Sequence, residues 1–406
     1  MNTDIRRQFP SLINNYNGKE IIYLDGPGGT QVPESVIEAI SGYYRTSNAN
    51  SHGSFITSKR TDEVIEKTRN HLASFLGAES GKNISLGQNM TTLNYALSRA
   101  FYRILQPGDE VLITQLDHEA NKGPWLTLRE KGIIVREVCL NKNGTLDYDD
   151  LESKINERTR LMAMGMSSNA LGTVNDFRFV RKLTYKYGTL LLLDAVHYAP
   201  HFSIDVKELG CDFLLCSAYK FYGPHIGILY SKTGVLDRLP TDRLRTTEQM
   251  APYSIETGTL NHASFAGTIA AIEFISGLGE GENLREKLKS AYKKIQVHEH
   301  KLAKHLYDGL EKIDGIHLVG PDFSTKDRTP TVSFTAKNKT AEEICMELGK
   351  ENICAWDGHF YALGAIEALG LLEHGGVTRM GISLYNTDEE VSRTLESVKK
   401  IVAAKK

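Results

Sequence analysis

Seven short apolar runs, each closed by a turn or a polar loop, set the strongest limit on what this chain can fold into. They are NISLG (83–87), DEVLITQ (109–115), IIVREVCL (133–140), TRLMAMGMSS (159–168), TLLLLDAV (189–196), CDFLLCSA (211–218) and IGILYS (226–231). Between them lie stretches of helical period, such as MTTLNYALSRAFYRIL (90–105), NKGPWLTLREKG (121–132), VNDFRFVRKLTYKYG (174–188) and SIDVKELG (203–210). Buried strands alternating with helices predict βαβ units around a mostly parallel sheet, an α/β fold. Further on, HLVGP, PTVSFTA and VTRMGISLY interleave with helical patterns near 285–314, 341–350 and 388–403, as in a smaller α+β domain. The helical pattern ASFAGTIAAIEFISGLG (263–279) leads out of the large unit. The expected division is an N-terminal segment 1–20 packed with the small domain, a large domain 21–280 and a small domain 281–406. A chain of 406 residues exceeds one typical core, which fits such a division.

Charge excludes several partners. Net charge is −2, with no basic excess for nucleic acid and no polybasic run for a membrane surface. The start, MNTDIRRQFPSLINNYNGKE, lacks the apolar core of a signal peptide, and no apolar run reaches bilayer length. Five cysteines (139, 211, 216, 345, 354) form neither a CxxC pair nor a metal-ligand spacing. A cytoplasmic protein without structural disulfides or a metal site is the expectation.

LLCSAYKFYGPHIG (214–227) places Lys220 between an apolar run and a bend made by Gly223, Pro224 and Gly227. A solvated lysine needs no such housing, whereas one that must lose its proton and attack a carbonyl does. Other candidates fall at the same sheet edge, where open parallel sheets collect ligands. Asp194 ends LLLLDAV, either as a turn former or as a carboxylate facing a cationic ring nitrogen. Thr91 and Thr92 open a helix after a strand, as plain caps or as part of a phosphate site. Ser217 could add a hydroxyl, and Gly258 and Thr259 precede another helix. His118 lies in a polar loop after a strand, placed to stack on a flat cofactor and shuttle protons. Asn169 suits a turn before Gly172 or a phenolic oxygen. Arg379, in an apolar setting, calls for an anion: an internal acid or an amino-acid carboxylate.

The ordered set YLDGPGGTQVP, DHEANKGPW, SNALGTVN, LDAVHYAPH, SAYKFYGPHIG, ETGT and RMGISLYNTDEEV resembles the class V, fold-type I pyridoxal-phosphate enzymes, in the cysteine desulfurase and selenocysteine lyase branch. The similarity runs over nearly the whole chain. It implies pyridoxal 5'-phosphate as cofactor, with Lys220 as the Schiff-base lysine, Asp194 on the pyridine nitrogen and His118 stacked on the ring. Asn169 and His197 would lie near the cofactor, with Thr92 and Ser217 on its phosphate and Arg379 on the substrate carboxylate. Thr259 would reach the phosphate of a neighbouring subunit, making a homodimer with its active site at the subunit interface.

Two departures bear on function. Tyr219 precedes the lysine where the family often carries His, and its hydroxyl could replace that phosphate contact. In CAWDGHFYALG, Trp356 stands where desulfurases of this shape have arginine, and Tyr361 where they have the sulfur-accepting cysteine. Cys354, seven residues upstream in a strand end, reads as an inert core thiol. A sulfur-acceptor protein therefore has no support. Taking sulfur from free cysteine needs a nucleophile at the sulfur, whereas expelling a thiol or selenide from the β-carbon needs only α-proton removal. The expected activity is C–S (or C–Se) lyase chemistry on an amino acid, with Tyr361 shaping the pocket or hydrogen-bonding the substrate. The alternatives are a class V aminotransferase or epimerase, and a weakly active binding or scaffold protein.

Overall fold

The computed structural model describes residues 3–16, 18–324 and 327–404. The seven apolar runs become strands β1 (Ile84–Gly87), β2 (Glu110–Thr114), β3 (Ile134–Val138), β4 (Thr159–Gly165), β5 (Leu190–Asp194), β6 (Phe213–Ser217) and β7 (Gly227–Ser231). They form one sheet in the order β1-β7-β6-β5-β4-β2-β3. Only β7 opposes its neighbours, so the other six run the same way. Their side chains are buried on both faces, which is why these strands read as continuous apolar runs rather than alternating ones. The α/β expectation holds, with a mixed sheet of parallel majority.

A second, antiparallel sheet comprises β8 (Ile316–Val319), β9 (Thr331–Ala336), β10 (Trp356–Gly358) and β11 (Val377–Gly381), in the order β8-β9-β11-β10. Helices Leu284–Glu311, Ala341–Lys350 and Asp388–Ala403 pack beside it. The first expected run of helix after β2 is shorter than its pattern: Glu119–Leu126 is helical, and Thr127–Lys131 tightens into a 3₁₀ turn. Gly132, at φ +80°, ends that turn before β3. Among the described residues no helix is long and apolar enough to cross a membrane.

The N-terminal segment touches both regions. Phe9 packs against Tyr222 and Phe274 from one side and Tyr385 from the other, while Arg6 pairs with Glu390 at 2.6 Å. Next, Ile22–Tyr23 runs parallel to Ile353–Cys354, and Gly381 donates its N–H to Leu24 O at 2.6 Å. That placement lays residues 25–30 across the carboxyl edge of the large sheet, against the end of β11.

Close packing at this edge depends on missing side chains. A Cβ on Gly227, the first residue of β7, would run into the backbone of Asn89, the cap of helix Met90–Ile104. Gly227→Ala should therefore cost about 1–3 kcal/mol through overpacking. Thermal denaturation should show a clear fall in Tm, and an unchanged midpoint would contradict this packing.

Candidate active site

Lys220 sits in a single 3₁₀ turn, Ala218–Lys220, straight after β6. Its amine donates to Pro27 O and to Gly28 O, the latter at 2.9 Å, and the side chain is only 8% exposed. The turn is fixed from the same side. Thr30 N–H and Thr30 Oγ1 donate to Tyr219 O at 3.2 and 3.1 Å, and Tyr222 N–H donates to Thr30 Oγ1 at 2.8 Å. Burial, reinforced by the nearby Arg379 cation, lowers the Lys220 pKa to about 7; Asp25 and Asp194 only partly offset this.

Asp194 ends β5, buried, with Oδ1 accepting the Val196 N–H at 2.9 Å. Burial pushes its pKa up to about 7, and the neighbouring Asp117 carboxyl adds to the rise against that hydrogen bond. Asp117 is itself buried after β2. It accepts N–H groups from Gly165 and, at 2.9 Å, from Thr114, yet burial still raises it to about 6.

His118 follows, capping helix Glu119–Leu126 by accepting Ala120 N–H on Nδ1 at 3.0 Å. Burial and the cations Lys220 and Arg379 drive its pKa down to about 4, so the ring is neutral at pH 7. Its ring stacks on Tyr361, with centroids 5.5 Å apart and 28° between planes. Tyr361 is 67% exposed and sits at the tip of the loop after β10.

Arg379, on β11, is fully enclosed. It donates to Asp25 Oδ1 at 2.6 Å and to Asn169 O at 3.2 Å, and the Phe360 ring lies 4.0 Å from its Cζ. Asn169 Nδ2 donates to Phe360 O at 2.9 Å, tying the loop after β4 to the loop after β10. Arginine in an apolar setting thus meets both an internal acid and open donor capacity, since its Nε has no partner.

At the opening of helix Met90–Ile104, Asn89 caps Thr92 N–H at 2.9 Å, Thr92 Oγ1 donates to Asn89 O, and Ser217 Oγ accepts Met90 N–H at 3.0 Å. Thr91, half-buried, opens the same turn. His197 binds Thr331 and Thr329 hydroxyls through Nε2, at 2.9 and 3.2 Å, while its buried Nδ1 has no partner. Tyr219 stacks on His225 at 4.8 Å. Thr259 is exposed; the loop leading to it is clamped by Glu256, which takes two hydrogen bonds from Arg69 (2.7 and 2.8 Å) and one from Leu86 N–H.

The sheet edge therefore gathers Lys220, Asp194, His118, Asn169 and Arg379 about one spot, and Thr91, Thr92 and Ser217 about a helix start. Sequence reasoning missed Asp25, Asp117 and Phe360 as members of this cluster. Asp25 sits in LDGPGGT, where an acid followed by three glycines and a proline signals a turn held near other chain. A larger depression of about 1070 Å³, beside Lys337–Glu343 and Glu373–Gly376, contains none of these residues.

The residue set has the chemistry of a site for pyridoxal phosphate. A buried carboxyl with a single N–H partner suits a cationic ring nitrogen, the orphaned His197 Nδ1 suits a further polar group, and a half-neutralised amine suits an aldehyde.

The class-V aminotransferase family model matches residues 22–394. A probable cysteine desulfurase of Halalkalibacterium halodurans is 30% identical over 412 residues, covering 98% of this chain and 97% of that protein. A cysteine desulfurase of Pectobacterium carotovorum subsp. carotovorum is 30% identical over 416 residues, with 98% and 97% covered. Among solved structures, the cysteine desulfurase of Thermococcus onnurineus NA1 superposes with a TM-score of 0.88 at 27% identity, covering 98% of this chain and 97% of that one. The cysteine desulfurase CsdA of Escherichia coli gives 0.85 at 27% identity, covering 99% and 98%.

Only the uncharged amine attacks an aldehyde, so a lowered pKa moves the onset of reactivity down in pH. Covalent attachment of added pyridoxal phosphate to Lys220 of the cofactor-free chain, trapped with borohydride and mapped by mass spectrometry, should rise with pH through about 7. A rise delayed to the ordinary lysine range, about 10.4, would show that burial does not tune this amine.

Proposed function

Because the chain belongs to the class-V aminotransferase family and is a pyridoxal-phosphate-dependent enzyme of the cysteine desulfurase-like group, we propose that it cleaves the C–S (or C–Se) bond of an amino acid and releases a free thiol or selenol. The observation that carries this reading is the loop tip beside His118, which presents the phenol of Tyr361 and no thiol. Cys211 and Cys216 are buried in the core, and burial also pushes the thiols of Cys139, Cys345 and Cys354 up, away from the thiolate that would accept sulfur.

Bound pyridoxal phosphate supplies an electron sink for the pair left at the substrate's α-carbon. The chain's residues supply the rest. Asp194 holds positive charge at the ring nitrogen, and neutral His118 covers one face. Asn169 binds near the phenolic oxygen and His197 lies near the cofactor; Thr91, Thr92 and Ser217 hold the phosphate, with Tyr219 and a partner subunit's Thr259 as further contacts in a homodimer. Arg379 takes the substrate carboxylate, and Lys220 Nζ removes the α-proton. The C–S bond then breaks with its electron pair on sulfur, which leaves protonated. Water completes the balance: S-substituted cysteine plus water gives thiol, pyruvate and ammonium. A reducing cytoplasm fits five unpaired cysteines.

The cofactor-loaded protein should convert cysteine conjugates to stoichiometric thiol and pyruvate. Amino-group transfer to a 2-oxo acid without thiol release would overturn the lyase reading. Lys220→Ala should lose the borohydride-reducible linkage and about 100- to 10,000-fold in turnover. Cys354→Ser should keep turnover within about twofold, as expected for a residue without a chemical part; its complete loss would restore sulfur transfer through a persulfide.

A further inference from the structure

A cavity of about 440 Å³ is lined in part by Asp25, Gly28, Gly29 and Thr30, within the range of roughly 300–1,000 Å³ usual for small-molecule sites. Its walls are mainly apolar: Val32, Val36, Ile37, Ile40, Pro224 and Trp356. It adjoins the candidate active site through shared wall residues. Gly28, whose carbonyl holds the Lys220 amine, lines it, as does Asp25, which holds Arg379. Trp356 stands directly opposite Arg379 across the β10–β11 pair, so both side chains lie on one face of that sheet. The stacked rings of Tyr219 and His225 form a further wall. Trp356 is 56% and Ile37 43% exposed, an open apolar cost that an occupant would remove.

Resting on the lyase reading, we infer that this cavity takes a bulky, aromatic-bearing substituent on the substrate's sulfur, so that the substrate class is S-substituted cysteine rather than free cysteine. A free cysteine side chain, one methylene and one sulfur, would leave these walls uncovered. A substituent of benzyl size buries against them, and each added methylene in an apolar pocket is worth about tenfold or more in discrimination. Asp25 adds no opposing charge, since Arg379 neutralises it.

Binding can be separated from cleavage with analogues that cannot eliminate because a methylene replaces sulfur: 2-amino-5-phenylpentanoate for S-benzylcysteine and norvaline for S-methylcysteine. Of the two tryptophans, Trp125 is fully buried, so Trp356 fluorescence reports the cavity. In the cofactor-loaded enzyme the phenyl analogue should change that fluorescence with a Kd at least about tenfold below that of norvaline. Ile37→Glu, at a partly exposed position, should bring the two values together. Equal Kd values in the unmodified enzyme, or no response of Trp356 because a second subunit fills the cavity, would overturn the inference. Tight binding of the phenyl analogue with no thiol released from S-benzylcysteine would leave the cavity assigned and overturn the lyase reading instead.

Discussion

Residues 25–30 hold both cations of the site at once, and the remaining architecture is arranged around that constraint. Asp25 binds the Arg379 guanidinium, while the carbonyls of Pro27 and Gly28 receive the Lys220 amine. Burying an arginine–aspartate pair is costly in desolvation and adds little net stability. Its value is positional: it fixes β11 of the small sheet against a turn that also fixes the lysine after β6. The tight fit is visible in the glycines. A Cβ on Gly28 would collide with Asp25, and one on Gly381 with the Pro27 ring. Neither the amine nor the guanidinium can drift without displacing the other's support.

The same burial brings groups of opposite kind towards neutral pH. Lys220 falls to about 7 and Asp194 rises to about 7, both chiefly because the site excludes water. His118 is driven so far down, to about 4, that it holds no charge to compete with them. Pairs of groups moved in opposite directions by one environment are where acid and base roles are found. Here the amine is poised to exchange a proton, the carboxyl is poised to answer a cation, and the imidazole between them stays a neutral surface. Behind His197, the buried Glu299 carboxyl lies 2.8 Å from His201 Nδ1.

The large sheet was legible because strands buried on both faces announce themselves as unbroken apolar runs, and all seven appear where those runs stand. Lys220 was legible for a related reason: a cation set between such a run and a tight bend has no solvent to justify it. The tertiary ties were not. Asp25 lies 354 positions from Arg379, and neither residue's neighbours carry a period that points to the other. Phe360 reads as one more loop aromatic, and only the folded β10–β11 pair puts its ring on the guanidinium. Asp117 looks like a turn acid. Its influence on Asp194 comes from the ends of β2 and β5, the two strands that flank β4, which a linear reading does not bring together.

The loop tip holds backbone strain in place through contacts with its surroundings. Phe360 and Tyr361 both adopt left-handed backbone, φ +53° and +58°, a conformation costing about 1–3 kcal/mol for such bulky residues. Strain of that size persists only where other contacts enforce it. Three do: Glu119 N–H donates to Tyr361 O at 2.7 Å, Asn169 Nδ2 to Phe360 O, and Ala362 N–H to His359 O at 2.8 Å. All three use backbone carbonyls, so none depends on which side chain stands at 361. The strained tip brings the Tyr361 ring against His118. The group presented there is a phenol, which stacks at 5.5 Å and has no thiol chemistry. A costly backbone that carries a phenol rather than a thiol fits the proposed role of the loop in closing and shaping the site.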